Sequence, residues 1–187
     1  MITEEDGKKL LRLARSSIEG YFSGKELETE DVKHLNNELG IFVTLNKRGA
    51  LRGCIGFPEP IMPLYKAVIE ASKSAAFKDP RFPPLKKEEL EDIHLEISVL
   101  TEPELMAKYE PESVKEEIVI GKHGLVIKHP YGSGLLLPQV PVEQNWSVEE
   151  FLKNLCYKAG LPPTAWQRDK SEIYRFEAQV FSEVNKV

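Results

Sequence analysis

The sequence predicts an α+β protein with a largely antiparallel sheet and flanking helices. Two β-like runs enclose Asn46-Lys47-Arg48-Gly49, a turn sequence typical of a hairpin. Residues 93–100 alternate between apolar and polar side chains, as a half-buried strand does. Isolated helical segments follow these runs, without the regular strand–helix alternation that a parallel sheet requires. Together these observations favour the α+β class.

The first half of the chain contains two predicted helices. Thr3 begins a segment that resembles a capping box, and apolar residues then recur at helical spacing, which predicts an amphipathic helix over residues 3–22. Pro63 suits the first turn of a second helix, which we expect to end near Phe77. The acidic run within KEELED, residues 87–92, is interpreted as the solvated surface of a short charged helix.

The second half contains short strands and one well-marked helix. Residues 117–140 read as successive short strands joined at glycines, and residues 172–184 as a long final strand. Ser147 and Glu150 form a predicted capping box for a helix that ends at Gly160.

The domain organisation follows from the charged, proline-containing segment at residues 101–117, which is a plausible junction. We expect one domain over residues 1–187. Its larger subdomain would comprise approximately residues 1–101 plus 161–187, and its smaller one approximately residues 102–160.

Composition excludes several classes of protein. The 187 residues carry a formal net charge of -5, which disfavours nucleic-acid binding. No apolar run approaches the roughly 20 residues of a membrane span, and the first residues lack the layout of a signal peptide. We therefore expect a soluble cytoplasmic protein that does not associate with a membrane. Its two cysteines, Cys54 and Cys156, would be reduced there.

The stretch LRGCIG, residues 51–56, is the main candidate site. Side chains alternate along a strand, so Arg52 is the nearest same-face neighbour of Cys54, and its guanidinium is expected to lower the thiol pKa. Gly53 and Gly56 weaken a strand and are tolerated where another backbone or a ligand approaches closely. These features indicate a reactive or ligand-contacting thiol. Free cysteine is equally typical of a packed core, so both interpretations of Cys54 stay open.

The remaining candidates are fewer. Cys156 follows apolar helical residues and is predicted to pack in the core. His123, between glycines in GKHG, is the best candidate for a base, and Arg81, fixed between prolines, is a candidate for meeting an anionic group. No ligand spacing indicates a metal site, and no motif indicates a cofactor.

LRGCIG as a complete hexapeptide resembles the signature of the AMMECR domain family. Five further segments fit the same resemblance: AFKDPRFPPL, LEISVL, GKHGLVI, LLLPQV and FLKNLCYKAGL. The resemblance implies an α+β fold with a larger and a smaller subdomain and a cleft between them. It marks residues 51–56 as a functional site without naming a reaction. Some relatives are fused to, or encoded beside, Memo-like and radical-SAM proteins, which implies a Memo-like protein as a partner.

Three hypotheses about function follow. The first is a cleft-binding or regulatory protein that holds a small anionic ligand or a protein partner around the LRGCIG strand, helped by Arg81. The second is a thiol-dependent enzyme with Cys54 as nucleophile, activated by Arg52 and served by His123. The third is nucleic-acid binding, through the basic residues between Lys73 and Lys87. The sequence leaves open whether the protein is an enzyme.

Overall fold

The chain divides into two structural units, Met1–Leu100 with Gln179–Val187, and Thr101–Ala178. The computed structural model describes residues 2–106, 111–168 and 170–183. Part of the predicted junction, residues 107–110, lies outside them. Residues 161–178, which the sequence analysis groups with the larger subdomain, fall in the second unit.

The first unit is built on two helices and a sheet. Its elements are the helices α1 (Glu4–Ser23) and α2 (Leu64–Phe77), the strands β1 (Ile41–Lys47), β2 (Ala50–Phe57) and β3 (Ile93–Leu100), and 3-10 helices at Glu30–Val32 and Lys87–Glu89. Thr3 caps α1 by accepting a 3.1 Å hydrogen bond from the Asp6 N–H, and Gly24 ends it with a φ of 66°. Both predicted helices are thereby confirmed.

The sheet of the first unit has the order β2-β1-β3, and the end of the last strand follows β3. The β1–β2 and β1–β3 ladders are antiparallel, and the predicted hairpin turns at Arg48 and Gly49, both with positive φ. Val43, Leu45 and Ile97 are fully buried in one core with residues of α1 and α2. The helices thus pack on one face of this sheet, which leaves Thr44 and Cys54 on the other.

Strand β3 is more buried than predicted. His94 is exposed, as expected of the polar face, but Glu96 and Ser98 are only 8% and 1% exposed. The prediction of a half-buried strand was wrong at these two positions. Alternation reports only the polarity of a residue and does not show what packs over it.

Within its described residues, the second unit contains three short helices and a smaller sheet. Its elements are β4 (Glu104–Leu105), α3 (Pro111–Glu117), β5 (His123–His129), β6 (Gly132–Leu136), α4 (Gln139–Glu143), α5 (Val148–Lys158), a 3-10 helix at Ala165–Gln167 and the first part of β7 (Glu172–Ser182). The β5–β6 hairpin and the long final strand were predicted, and α3 and α4 were not.

The core of the second unit surrounds α5. Ser147 and Glu150 form the predicted capping box, and Gly160, with a φ of 70°, follows the end of the helix. Phe151, Leu155 and Cys156 are fully buried against Leu125 and Ile127 of β5 and their neighbours. The core prediction for Cys156 is confirmed.

The predicted fold class is confirmed, since helices and antiparallel ladders occur in both units. Among the residues that the structure describes, no helix is long and apolar enough to cross a membrane.

Candidate functional site

The candidate site centres on Cys54 in β2, where two glycines allow backbones to approach. A Cβ on Gly53 would lie 2.2 Å from the Ala75 carbonyl oxygen of α2, and one on Gly56 would lie 2.1 Å from that of Ile41. These glycines are therefore explained by contacts with the protein's own backbone. Gly53 faces α2, so the neighbouring Cys54 side chain points to the opposite face of the sheet.

The Cys54 thiol lies in a partly buried, polar environment. The register pairs Thr44 with Cys54 on β2 and with Glu96 on β3, and the Thr44 hydroxyl donates to the Cys54 sulfur at 3.3 Å. Burial raises the pKa of the Cys54 thiol, and although the Thr44 hydrogen bond and the Arg81 charge act in the opposite direction, they do not offset it. The thiol is protonated at neutral pH, so the expected lowering of its pKa is not found.

Asp79 and Arg81 bind the backbone of Cys54 at the end strand of the sheet. The Cys54 N–H donates to Asp79 Oδ2 at 2.9 Å, and the Cys54 carbonyl accepts from Arg81 Nη2 at 3.0 Å. Arg81 also donates to both Asp79 oxygens, from Nε at 2.9 Å and from Nη2 at 2.7 Å. These hydrogen bonds from Arg81, with those from the backbone, hold the pKa of Asp79 far below its usual range. The Asp79–Arg81 pair thus makes the two backbone hydrogen bonds at Cys54 that a further strand would otherwise make.

Arg52 is directed away from the thiol. It occupies a bulge, since Leu51 pairs with Asn46 and Gly53 with Leu45. Its guanidinium donates from Nε and Nη2 to the two oxygens of Glu89, each at 3.0 Å, and from Nη2 to the Pro83 carbonyl.

The Arg52–Glu89 pair is largely buried, with side chains 10% and 15% exposed. Lys47 is a further partner of Glu89, at 2.8 Å. The Arg52 hydrogen bonds, followed by those of Lys47 and the Lys86 N–H, hold the pKa of Glu89 well below its ordinary value. The interpretation of Glu89 as solvated helix surface was therefore wrong. The residues near Glu89 in sequence do not show that Arg52, from strand β2, would pack against it.

Phe82 lies between the two arginines. The guanidinium carbons of Arg52 and Arg81 are 5.9 Å and 5.6 Å from its ring centroid. Cation–π contacts of this kind favour a fixed guanidinium position. The segment 79–89 thus lies against β2: it contacts the Arg52 side chain and places Arg81 beside Cys54.

His123 belongs to the second unit and begins β5. It is 7% exposed, and its Nδ1 accepts a hydrogen bond from the Val119 N–H at 3.1 Å. Burial, together with the charges of Arg175 and Lys122, lowers the pKa of His123. The imidazole is neutral with its proton on Nε2, and its one lone pair is occupied by the Val119 N–H. This tautomer does not favour the role of a general base.

Sequence reasoning missed four residues of this region: Thr44, Asp79, Glu89 and Glu96. Thr44 was not predictable, because counting back across a regular hairpin pairs Cys54 with Val43, and only the bulge at Arg52 shifts its partner to Thr44. Asp79 stands two residues before Arg81, a spacing that allows local pairing. Nothing in the sequence indicates that Glu96 would be buried. No group of three or more potential ligands for a metal ion occurs among the described residues.

The fold and the site define an α+β protein with a protonated thiol on the end strand of its sheet and a guanidinium hydrogen-bonded to the backbone of the same residue. The AMMECR1 family model matches residues 11–181, and the chain belongs to this family.

Similar proteins come from archaea. Protein MJ0810 of Methanocaldococcus jannaschii is 51% identical over 187 residues, covering 98% of this chain and 93% of its own. Protein PYRAB00100 of Pyrococcus abyssi is 50% identical over 190 residues, with 97% and 92% covered. The crystal structure of the uncharacterized protein PH0010 from Pyrococcus horikoshii superposes with a TM-score of 0.91 at 48% identity, covering 97% of this chain and 93% of that one.

Proposed function

We propose that the protein is a ligand-binding or regulatory protein that holds an anionic group at Arg81, beside Cys54. The observation that carries this proposal is the hydrogen bonding and exposure of the Arg81 guanidinium. Asp79 and the Cys54 carbonyl engage its Nε and Nη2, whereas Nη1 makes no hydrogen bond within the described part of the chain. The Arg81 side chain is 52% exposed and the Asp79 side chain only 2%. An approaching anion therefore meets a guanidinium that is already held in place, with its counter-charge behind it.

Preorganisation is what makes this group suited to binding. An arginine that is fixed before the ligand arrives loses little conformational entropy on binding, and its planar donors match carboxylate or phosphate oxygens. Thr44 and Cys54 add a hydroxyl and a neutral thiol nearby, joined by their own hydrogen bond. Polar groups of this kind orient a ligand without reacting with it.

A thiol-dependent enzyme is the second candidate, because the Thr44 hydrogen bond and the Arg81 charge both act to lower the pKa of Cys54. Burial acts more strongly and raises that pKa. The candidate base, His123, has its lone pair occupied by the Val119 N–H. The structure thus supports binding better than nucleophilic catalysis. The net charge of -5 continues to disfavour nucleic acid as the ligand.

Calorimetric titration with inorganic phosphate and with citrate tests the proposal. The informative variant is Arg81→Lys, which keeps the cation for Asp79 and removes the outward Nη1 donors. Losing one charge-assisted hydrogen bond at an exposed position costs about 1.5 kcal/mol, so binding of at least one anion should weaken roughly tenfold.

Arg48→Lys is the matched control, since it makes the same exchange at the hairpin turn, where the side chain is 78% exposed. Its affinity should equal that of the wild type. Equal affinity of the wild type and Arg81→Lys for both anions, or no binding of either, would refute this site.

A further inference from the structure

A cavity of about 650 Å³ lies in the second unit, beside the tip of the β5–β6 hairpin and the segment that follows α5. Small-molecule sites in proteins are typically about 300–1,000 Å³. The lining residues used below are His129, Tyr131, Leu161, Ala165, Arg168 and Lys170. None of them belongs to the region around Cys54, so this cavity is independent of the proposed function.

One wall of the cavity is aromatic and held in position. Tyr131, at the tip of the hairpin, is 81% exposed, and its ring centroid is 5.3 Å from that of His129. The Tyr131 N–H donates to His129 Nδ1 at 3.2 Å, so the neutral imidazole carries its proton on Nε2. Leu161 and Ala165 are 5% and 3% exposed and supply apolar surface. A flat ring could be received between this apolar surface and Tyr131.

The charged groups of the cavity are of one sign. Arg168 and Lys170 line it, and no carboxylate does among the residues that the structure describes. Neither Arg168 nor Lys170 forms an ion pair within those residues, and Asp169, between them in the sequence, lies outside them.

Two other cavities of the chain, both beside the segment that follows α1, contrast with this one. Acidic side chains line both: Glu19, Glu26, Glu28 and Asp31 in one, and Glu26, Glu28, Glu30 and Asp31 in the other. The cavity beside Tyr131 therefore differs from these two, because its lining contains cations and no described carboxylate. This is notable in a chain whose net charge is -5.

We infer that this cavity binds a small molecule in which an anionic group, carboxylate or phosphate, is attached to a flat aromatic ring. The ring stacks on Tyr131 over the apolar surface. The anionic group meets Arg168 and Lys170, and the Nε2–H of His129 provides a further donor. Charge-assisted hydrogen bonds and aromatic stacking then act on the two ends of one ligand.

Isothermal titration calorimetry of the full chain at low salt tests this inference with two matched pairs of probes. Indole-3-acetate and adenosine 5′-monophosphate carry the two kinds of anion, and indole-3-acetamide and adenosine are their uncharged counterparts. At least one anion should bind with a Kd of roughly 1 mM or better, and its counterpart about tenfold more weakly. The preferred pair distinguishes a carboxylate from a phosphate ligand.

Tyr131→Ala and the double variant Arg168→Gln/Lys170→Gln should each weaken that binding about tenfold. Tyr157→Ala and Lys153→Gln are the controls, because both residues lie on α5 outside the cavity, with Tyr157 59% and the Lys153 side chain 44% exposed. Since Tyr131 is 81% exposed, its truncation leaves the core intact. The inference is overturned if neither anion binds at millimolar concentration, if the counterparts bind equally well, or if the cavity variants behave like the controls.

Discussion

Glu89→Gln tests whether the Arg52–Glu89 pair stabilises the first unit. The substitution keeps the shape of the side chain and removes the charge that faces Arg52. The two side chains are only 10% and 15% exposed, and two hydrogen bonds of 3.0 Å join them. Neutralising one partner of a buried pair costs about 3–5 kcal/mol. Because the amide retains one acceptor oxygen, we expect a loss of about 2–4 kcal/mol in the free energy of unfolding.

For a chain of this length such a loss lowers Tm by about 4–16 °C. Far-UV circular dichroism is the appropriate measurement because it reports on both units. Both tryptophans, Trp146 and Trp166, lie in the second unit, so their fluorescence reports on that unit alone. Glu88→Gln, at an exposed neighbouring position, is the control and should change stability by less than about 0.5 kcal/mol.

The pH dependence of the stability difference between the wild type and Glu89→Gln gives a second test. The folded-state pKa of Glu89 is lowered from 4.5, so its contribution is fully present above that value and is lost as pH falls through the folded-state pKa. The difference between wild type and Glu89→Gln should therefore be largest near neutral pH and shrink progressively below about pH 4.5. A Glu89→Gln protein as stable as Glu88→Gln at neutral pH, or a difference that grows on acidification, would refute the reasoning.

Three further substitutions or modifications test other contacts. Gly53→Ala should destabilise the first unit by about 1–3 kcal/mol in urea denaturation, because its Cβ would meet the Ala75 carbonyl oxygen at 2.2 Å. Unchanged stability would contradict the close approach of β2 and α2 at this position. Iodoacetamide should alkylate native Cys54 more slowly than a free thiol of pKa about 8.5, with a rate that rises only at higher pH. Buried Cys156 should stay unmodified until the protein unfolds. Rapid labelling of Cys54 at neutral pH would favour the enzyme hypothesis instead. Ser147→Ala should lower the free energy of unfolding by about 1 kcal/mol through loss of the α5 cap. Tryptophan fluorescence should then show unfolding at a lower urea concentration. An unchanged midpoint would mean that the cap does not stabilise the protein.

Local elements were predictable because the interactions that form them are local. A helix N-cap depends on residues within one turn, so Thr3 and Ser147 marked the starts of α1 and α5 correctly. The hairpin followed from Gly49, which can adopt the positive φ observed there. The bulge at Arg52 was not predictable in this way: it breaks the alternation on β2 and pairs Cys54 with Thr44, whereas a regular hairpin register would pair it with Val43.

The partners of charged groups were not predictable, because they come from distant segments. Arg52 was expected to act on Cys54, two residues away, yet its guanidinium contacts Glu89, 37 positions along the chain. The guanidinium that does approach Cys54 is that of Arg81, brought there by its own pair with Asp79. The pKa of the thiol then depends on burial, which is a property of the packed unit and outweighs the nearby charge.

Sequence pattern therefore determined the α+β class, the principal helices and the hairpin, and the position of Cys54 on its strand. Tertiary packing alone decided that the pKa of the thiol is raised, that Glu89 is an internal counter-ion and that Arg81 is the outward cation. The physical reason is the range of the interactions. Capping and alternation act between residues a few positions apart, whereas desolvation and ion pairing depend on which segments fold against each other.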